Sequence, residues 1–209
     1  IKKIIYIMDL NRSLILAHQL LVSGKIDEAE KMLNEILNLD PKNLHVLNNL
    51  GNICIEKKNF SKGITFFEKC LEINENFFQA LANKGTCHQK LNQHVIALEC
   101  FEKTIKINPN FIDIYYNIGN CFLKLDRYEE AILNYNKIIE KKPNFINAIF
   151  NKALCYEKLE NYNSAIVIYK KIIEIKKYFF LAHLHLGNCF KKIYSFENAI
   201  NIYKKAIEI

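Results

Sequence analysis

Asn49, Asn83, Asn117 and Asn151 follow one another at intervals of 34 residues, and Asn52 and Asn120 repeat three residues behind Asn49 and Asn117. An asparagine amide both donates and accepts, so a row of amides matches the N–H and C=O groups of a peptide backbone. Cys87, Cys121, Cys155 and Cys189 keep the same interval, with Cys54, Cys70 and Cys100 outside the row. Their thiols could form disulfides, bind metal or act as nucleophiles. No C-x-x-C pair occurs, and His18, His45, His88, His94, His183 and His185 neither cluster at metal-ligand spacing nor form an H-E-x-x-H pattern. No glycine-rich phosphate loop is present. The expectation is a non-catalytic chain with no cofactor and no metal.

The interval extends to residues that cannot react. Gly51, Gly85, Gly119 and Gly187 share one position of a 34-residue frame beginning at Leu10, and Ala97, Ala131, Ala165 and Ala199 share another. Phe67, Phe101, Tyr135, Tyr169 and Tyr203 share a third, and Pro41, Pro109 and Pro143 a fourth. Numbered from Leu10 as position 1, these are positions 8, 20, 24 and 32. A fixed period of this length marks a repeat array. Apolar residues recur at helical spacing, as in Leu47, Leu50, Cys54 and Ile64, Phe67, Leu71. Each repeat therefore predicts a helix A over about positions 2–14 and a helix B over about positions 18–31. Polar turns such as Lys57-Lys58-Asn59, Asp126-Arg127 and Glu160-Asn161 separate them. Small residues at 8 and 20 let the helices cross closely, and proline at 32 stops helix B.

The pattern at positions 4, 7, 8, 11, 20, 24, 27 and 32 resembles the tetratricopeptide repeat. It is carried by runs such as VLNNLGNICIEKKNFSKGITFFEKCLEIN and IYYNIGNCFLKLDRYEEAILNYNKIIEKKP. The resemblance implies an all-α, right-handed superhelical α-solenoid of six helix-turn-helix repeats: 10–43, 44–77, 78–111, 112–145, 146–179 and an incomplete 180–209. Residues 1–9 are expected to pack on the first repeat. Ser13, Gly63, Glu75 and Lys177 depart from the family pattern.

In such arrays helix A lines a concave face, which places the asparagine row in a groove. Helices stacked ~8–10 Å apart and an extended chain rising ~3.3 Å per residue would bring one amide to about every third ligand residue. The expected peptide-binding set is Asn49, Asn52, Asn83, Asn117, Asn120 and Asn151, with Tyr116 and Phe150 at position 5 as aromatic anchors. Lys124 and Lys158, at position 13, would line the groove edge. The row resembles that of the O-GlcNAc transferase superhelix. The alternative reading is accordingly the substrate-recruiting part of a larger glycosyltransferase-like enzyme. The chaperone-tail clamp pattern is met at Asn52 and Asn83 but lacks its flanking cations, so that role is not expected.

The chain has 209 residues, a net charge of +7, 24% charged and 50% hydrophobic residues. The partner expected is a protein or peptide in extended form rather than nucleic acid, since the RNA-reading helical repeats follow another pattern. No stretch reaches the ~20 apolar residues of a membrane span. Buried free thiols imply a reducing, intracellular compartment, the cytoplasm first. Ile200, Ile207 and Ile209 lie on a last helix with no polar cap. That is an expectation of a longer parent protein, or of self-association through the C-terminal repeat.

Overall fold

The computed structural model describes the backbone of residues 2–209 and the side chains of residues 12–209. Among the described residues there are twelve helices and no strand. The helices gather into two compact units, residues 1–109 and 110–209.

The first unit holds α1 (Lys2–Val22), α2 (Ile26–Leu39), α3 (Leu44–Glu56), α4 (Phe60–Ile73), α5 (Phe78–Lys90) and α6 (His94–Ile107). The second holds α7 (Ile114–Lys124), α8 (Tyr128–Lys141), α9 (Ile146–Lys158), α10 (Tyr162–Ile175), α11 (Phe180–Lys192) and α12 (Phe196–Ile207). Within each unit every helix packs on the next in sequence, and α3 also meets α5 as α7 meets α9. Odd-numbered helices are the A helices of the repeat and even-numbered ones the B helices. Both begin one residue earlier than the periodicity predicts, at positions 1 and 17. Two starts differ further. α1 begins at Lys2, so the lead-in shares a helix with the first repeat, and its side-chain packing falls outside the described residues. α7 begins two residues late, because 3₁₀-type bonds from Ile114 N to Phe111 O and from Tyr115 N to Ile112 O occupy its first turn.

Four of the six hairpins close around a glycine-to-aromatic contact. A Cβ built on Gly51, Gly85, Gly119 or Gly187 would stand 2.4–2.6 Å from a ring carbon of Phe67, Phe101, Tyr135 or Tyr203 respectively. Only a hydrogen fits there. Phe67, Phe101, Tyr135 and Tyr169 are fully buried. Each such ring stabilises the fold by roughly 1.5–3 kcal/mol in transfer free energy.

The turn between helices A and B carries a feature that the side-chain pattern does not announce. Position 15 adopts left-handed backbone in every repeat: Gly24, Lys58, Asn92, Asp126, Glu160 and Tyr194, with φ between 56° and 76°. Glycine takes this conformation freely, whereas lysine, glutamate and tyrosine do so against a penalty of roughly 1–2 kcal/mol. Proline at position 32 proves unnecessary for stopping helix B. α4 and α10 end at Ile73 and Ile175, in register with the proline-bearing repeats, although Glu75 and Lys177 stand in its place. The chain is reversed there by Phe77 N bonding Asn74 O and Phe179 N bonding Lys176 O.

All seven cysteines are free and buried. Burial pushes the thiols of Cys87, Cys155 and Cys189 up to about 12 and that of Cys70 to about 11. Among the described residues no helix is long and apolar enough to cross a membrane.

Candidate functional site

Asn48, Asn52, Asn83, Asn120 and Asn151 of the A helices are half-buried and bonded to one another within each unit. On α5, Asn83 Nδ2 donates to Asn52 Oδ1 at 2.8 Å and to Asn48 Oδ1 at 3.1 Å, both on α3. On α9, Asn151 Nδ2 donates to Asn120 Oδ1 on α7 at 2.8 Å, and Asn120 Oδ1 also accepts the Tyr135 hydroxyl at 2.8 Å. Position 6 of one repeat is thus tied to position 9 of the repeat before it. Asn48, at position 5, joins this network without having been singled out by the sequence. Its signal was an asparagine one helical turn before Asn52.

The tie leaves unused capacity. Among the described residues, Asn83 Oδ1 and Asn151 Oδ1 have no protein partner, nor do Asn52 Nδ2 and Asn120 Nδ2. Each bonded pair therefore keeps one acceptor and one donor, the complement of a peptide group. Asn49 lies half-buried on α3 with no side-chain hydrogen bond among the described residues, and Asn117 lies half-buried on α7.

The two aromatic candidates are packed against the protein's own rings. Tyr116 stands edge-on to Phe145 at 5.0 Å and 6.2 Å from Tyr135. Phe150 meets Phe179 at 5.5 Å, Tyr169 at 5.7 Å and His185 at 5.4 Å. Lys124 and Lys158 are exposed on the last turns of α7 and α9 and form no ion pair among the described residues.

One break in the pattern is concerted. In the repeat of α9 and α10, Ala153 replaces glycine at position 8 and Leu154 replaces asparagine at position 9. With no amide at 154, the Tyr169 hydroxyl donates instead to Glu157 Oε2 at 3.1 Å. His185, which takes the place of asparagine at position 6 of the following repeat, puts Nδ1 3.0 Å from the same oxygen and stacks on Tyr169 at 5.7 Å. Burial pushes the Glu157 carboxyl up, but the His185 and Tyr169 hydrogen bonds outweigh it, and the net shift is below the ordinary carboxylate range. Sequence periodicity missed this cluster because its members occupy different repeat positions.

Two models of the tetratricopeptide repeat match the chain, one at 78–111 and 112–145, the other at 44–77, 146–179 and 181–209. Comparison with curated proteins gives no match. Among solved structures, a tetratricopeptide repeat protein from Parabacteroides merdae superposes with a TM-score of 0.79 at 17% identity, covering 96% of this chain and 80% of that one. MamA from Desulfovibrio magneticus gives 0.75 at 19% identity over 79% of this chain and 93% of that one. YrrB, described as having an unusual peptide-binding site, gives 0.73 at 18% identity over 84% of this chain and 91% of that one. At these identities the likeness bears on the fold.

Proposed function

The chain belongs to the tetratricopeptide repeat family, and on that footing we propose that it is a protein-interaction scaffold without catalysis of its own, whose A helices hold an extended peptide by its backbone. The observation that carries this reading is the bonded asparagine pair. In Asn83–Asn52 and again in Asn151–Asn120, one amide fixes the other and the pair keeps a free acceptor and a free donor. Side chains immobilised before binding lose less entropy on binding. The peptide-binding site of YrrB supports the reading by analogy of fold. The binding set is Asn49, Asn52, Asn83, Asn117, Asn120 and Asn151, with Lys124 and Lys158 at its edge. Tyr116 and Phe150 shape the surface from within their ring clusters.

The test separates ligand binding from folding. Asn52→Asp and Asn120→Asp keep the oxygens that Asn83, Asn151 and Tyr135 require, and replace each outward N–H donor by a charged carboxylate oxygen that only accepts. Screened against an array of immobilised twelve-residue peptides, each variant should stay folded and bind about tenfold more weakly, the equivalent of one hydrogen bond of ~1.4 kcal/mol. Unchanged binding by both variants would remove the groove reading.

A further inference from the structure

We propose that a cavity of the second unit, between α10, α11 and α12, is a docking pocket for a tryptophan side chain of a partner protein, whose indole N–H donates to Nε2 of His183. The inference goes beyond the groove reading and does not depend on it.

The cavity has a volume of about 530 Å³, and its lining includes Ile173, Lys177, Tyr178, His183 and Lys205. Sites for small ligands and single side chains span roughly 300–1,000 Å³. The first unit has a cavity of about 480 Å³ in which every lining residue stands three repeats before its counterpart, with Leu71 for Ile173, Glu75 for Lys177 and Leu81 for His183. These are the two junctions at which position 32 is not proline, and the side chains that replace the ring, Glu75 and Lys177, are exposed. The earlier cavity lies in mid-chain, so the feature belongs to the repeat and not to its place in the sequence.

The two cavities differ at the position that is buried. Position 4 of the repeat is Leu47, Leu81 and Ile149 in other repeats, all in the core. His183 places an imidazole there that is only 4% exposed. Its Nδ1 lies 3.2 Å from the carbonyl oxygen of Phe179. A carbonyl only accepts, so Nδ1 carries the proton and the neutral ring leaves Nε2 as an acceptor. Among the described residues Nε2 has no protein partner, although the ring lines the cavity. A buried acceptor left open is costly, and a donor entering the cavity would satisfy it.

The walls select the donor. Ile173 is half-buried, whereas Tyr178 is 70% exposed at the mouth, with Lys177 Nζ 5.5 Å from its ring centroid. An aliphatic wall, an aromatic face and cations at the rim suit a flat aromatic group. Indole joins such a surface to an N–H that only donates, the complement of a nitrogen that only accepts. A metal ion also takes an imidazole lone pair, but Lys177 and Lys205 oppose a cation here. Among the described residues no three metal-ligating side chains gather.

The chain contains no tryptophan, so the fluorescence of an indole probe reports binding without background. The probes are N-acetyltryptophanamide and its N-methylindole analogue, which lacks only the ring N–H donor. The wild-type protein should bind the first about tenfold more tightly, the worth of one hydrogen bond. His183→Leu, which copies Leu81 of the first unit, should bind both probes equally. In wild-type protein isotopically labelled at the histidine nitrogens, the first probe should shift the resonance of one unprotonated ring nitrogen and the second should shift none, a readout that needs no variant. Asn120→Asp, in the groove, should keep the preference. Equal affinity of the wild-type protein for the two probes, binding of neither, a preference that survives His183→Leu or an unmoved nitrogen spectrum overturns the pocket and leaves the groove reading standing. Loss of the preference in Asn120→Asp would place the probe in the groove and overturns the pocket equally. Free indole bound more tightly than the amide would assign the cavity to a small molecule and overturn the docking of a partner.

Discussion

Asn83 donates its amide to Asn52 across the junction of two repeats, at 2.8 Å. The asparagine row is thus first a set of struts between repeats, and its outward groups are what the struts leave over. Removing an asparagine disturbs folding and binding at once, so the two must be measured apart. Asn83→Ala forfeits the bonds to Asn48 and Asn52, each contributing on the order of 1 kcal/mol net. It should lower stability by about 2 kcal/mol in urea denaturation. Asn49→Ala, with no bond to lose, should stay within about 0.5 kcal/mol of wild type. Equal effects would show that the struts carry no stability.

Glycine at position 8 should resist even alanine. A Cβ on Gly119 would lie 2.6 Å from the Tyr135 ring, which is fully buried and tethered by its hydroxyl to Asn120. Overpacking of this kind costs about 1–3 kcal/mol, more than the ~1 kcal/mol that alanine gains over glycine in a helix. Gly119→Ala should lower the melting temperature. Ala153 stands at this position one repeat later, where the Tyr169 hydroxyl has turned to Glu157.

Turn position 15 offers a pair of opposite tests. Glu160→Gly relieves left-handed strain at φ 56° and should raise stability by about 1 kcal/mol. Gly24→Ala imposes that strain at φ 76°, where an added Cβ meets nothing within 4 Å, so a loss of about 1 kcal/mol would be purely conformational. Thermal unfolding of the two variants should move in opposite directions.

Glu157 predicts an acid-side weakness. Its carboxyl titrates lower in the folded protein than in the unfolded chain, so it stabilises the fold at pH values above the unfolded value of ~4.3. That contribution fades as pH falls through the folded value. Stability should decline below about pH 4.3, and Tyr169→Phe, which removes one of the two bonds to the carboxylate, should shrink this component of the pH dependence. An unchanged profile would mean that the Tyr169 bond does not hold the charge.

The thiols should be nearly silent in the native protein. With Cys87, Cys155 and Cys189 pushed up to about 12 by burial, the thiolate fraction at pH 8 is negligible and access is blocked. A colorimetric thiol reagent should titrate slowly before denaturation and reach seven thiols after it.

Much of this molecule is written locally. The 34-residue interval, the small residues at positions 8 and 20 and the aromatic at 24 predict twelve helices, and each helix lies within a residue or two of its expected place save the start of α1. They are legible because a repeat buries the same contact each time, and the contact of Gly51 with Phe67 recurs as that of Gly119 with Tyr135. The asparagine row is equally visible as a pattern. What the pattern does not contain is direction. Whether Asn83 points at a ligand or at Asn52 depends on how two helices 31 residues apart approach each other, and hydrogen bonds form wherever that approach brings a donor to an acceptor. The same holds for Glu157, Tyr169 and His185, which share no repeat position and meet because Leu154 removed the partner Tyr169 would otherwise have used. Sequence alone determined the periodic core, since burial of identical contacts is a local and additive requirement. The polar face was decided by tertiary packing, because a side chain's partner is set by the geometry of its neighbours and not by its own place in the repeat.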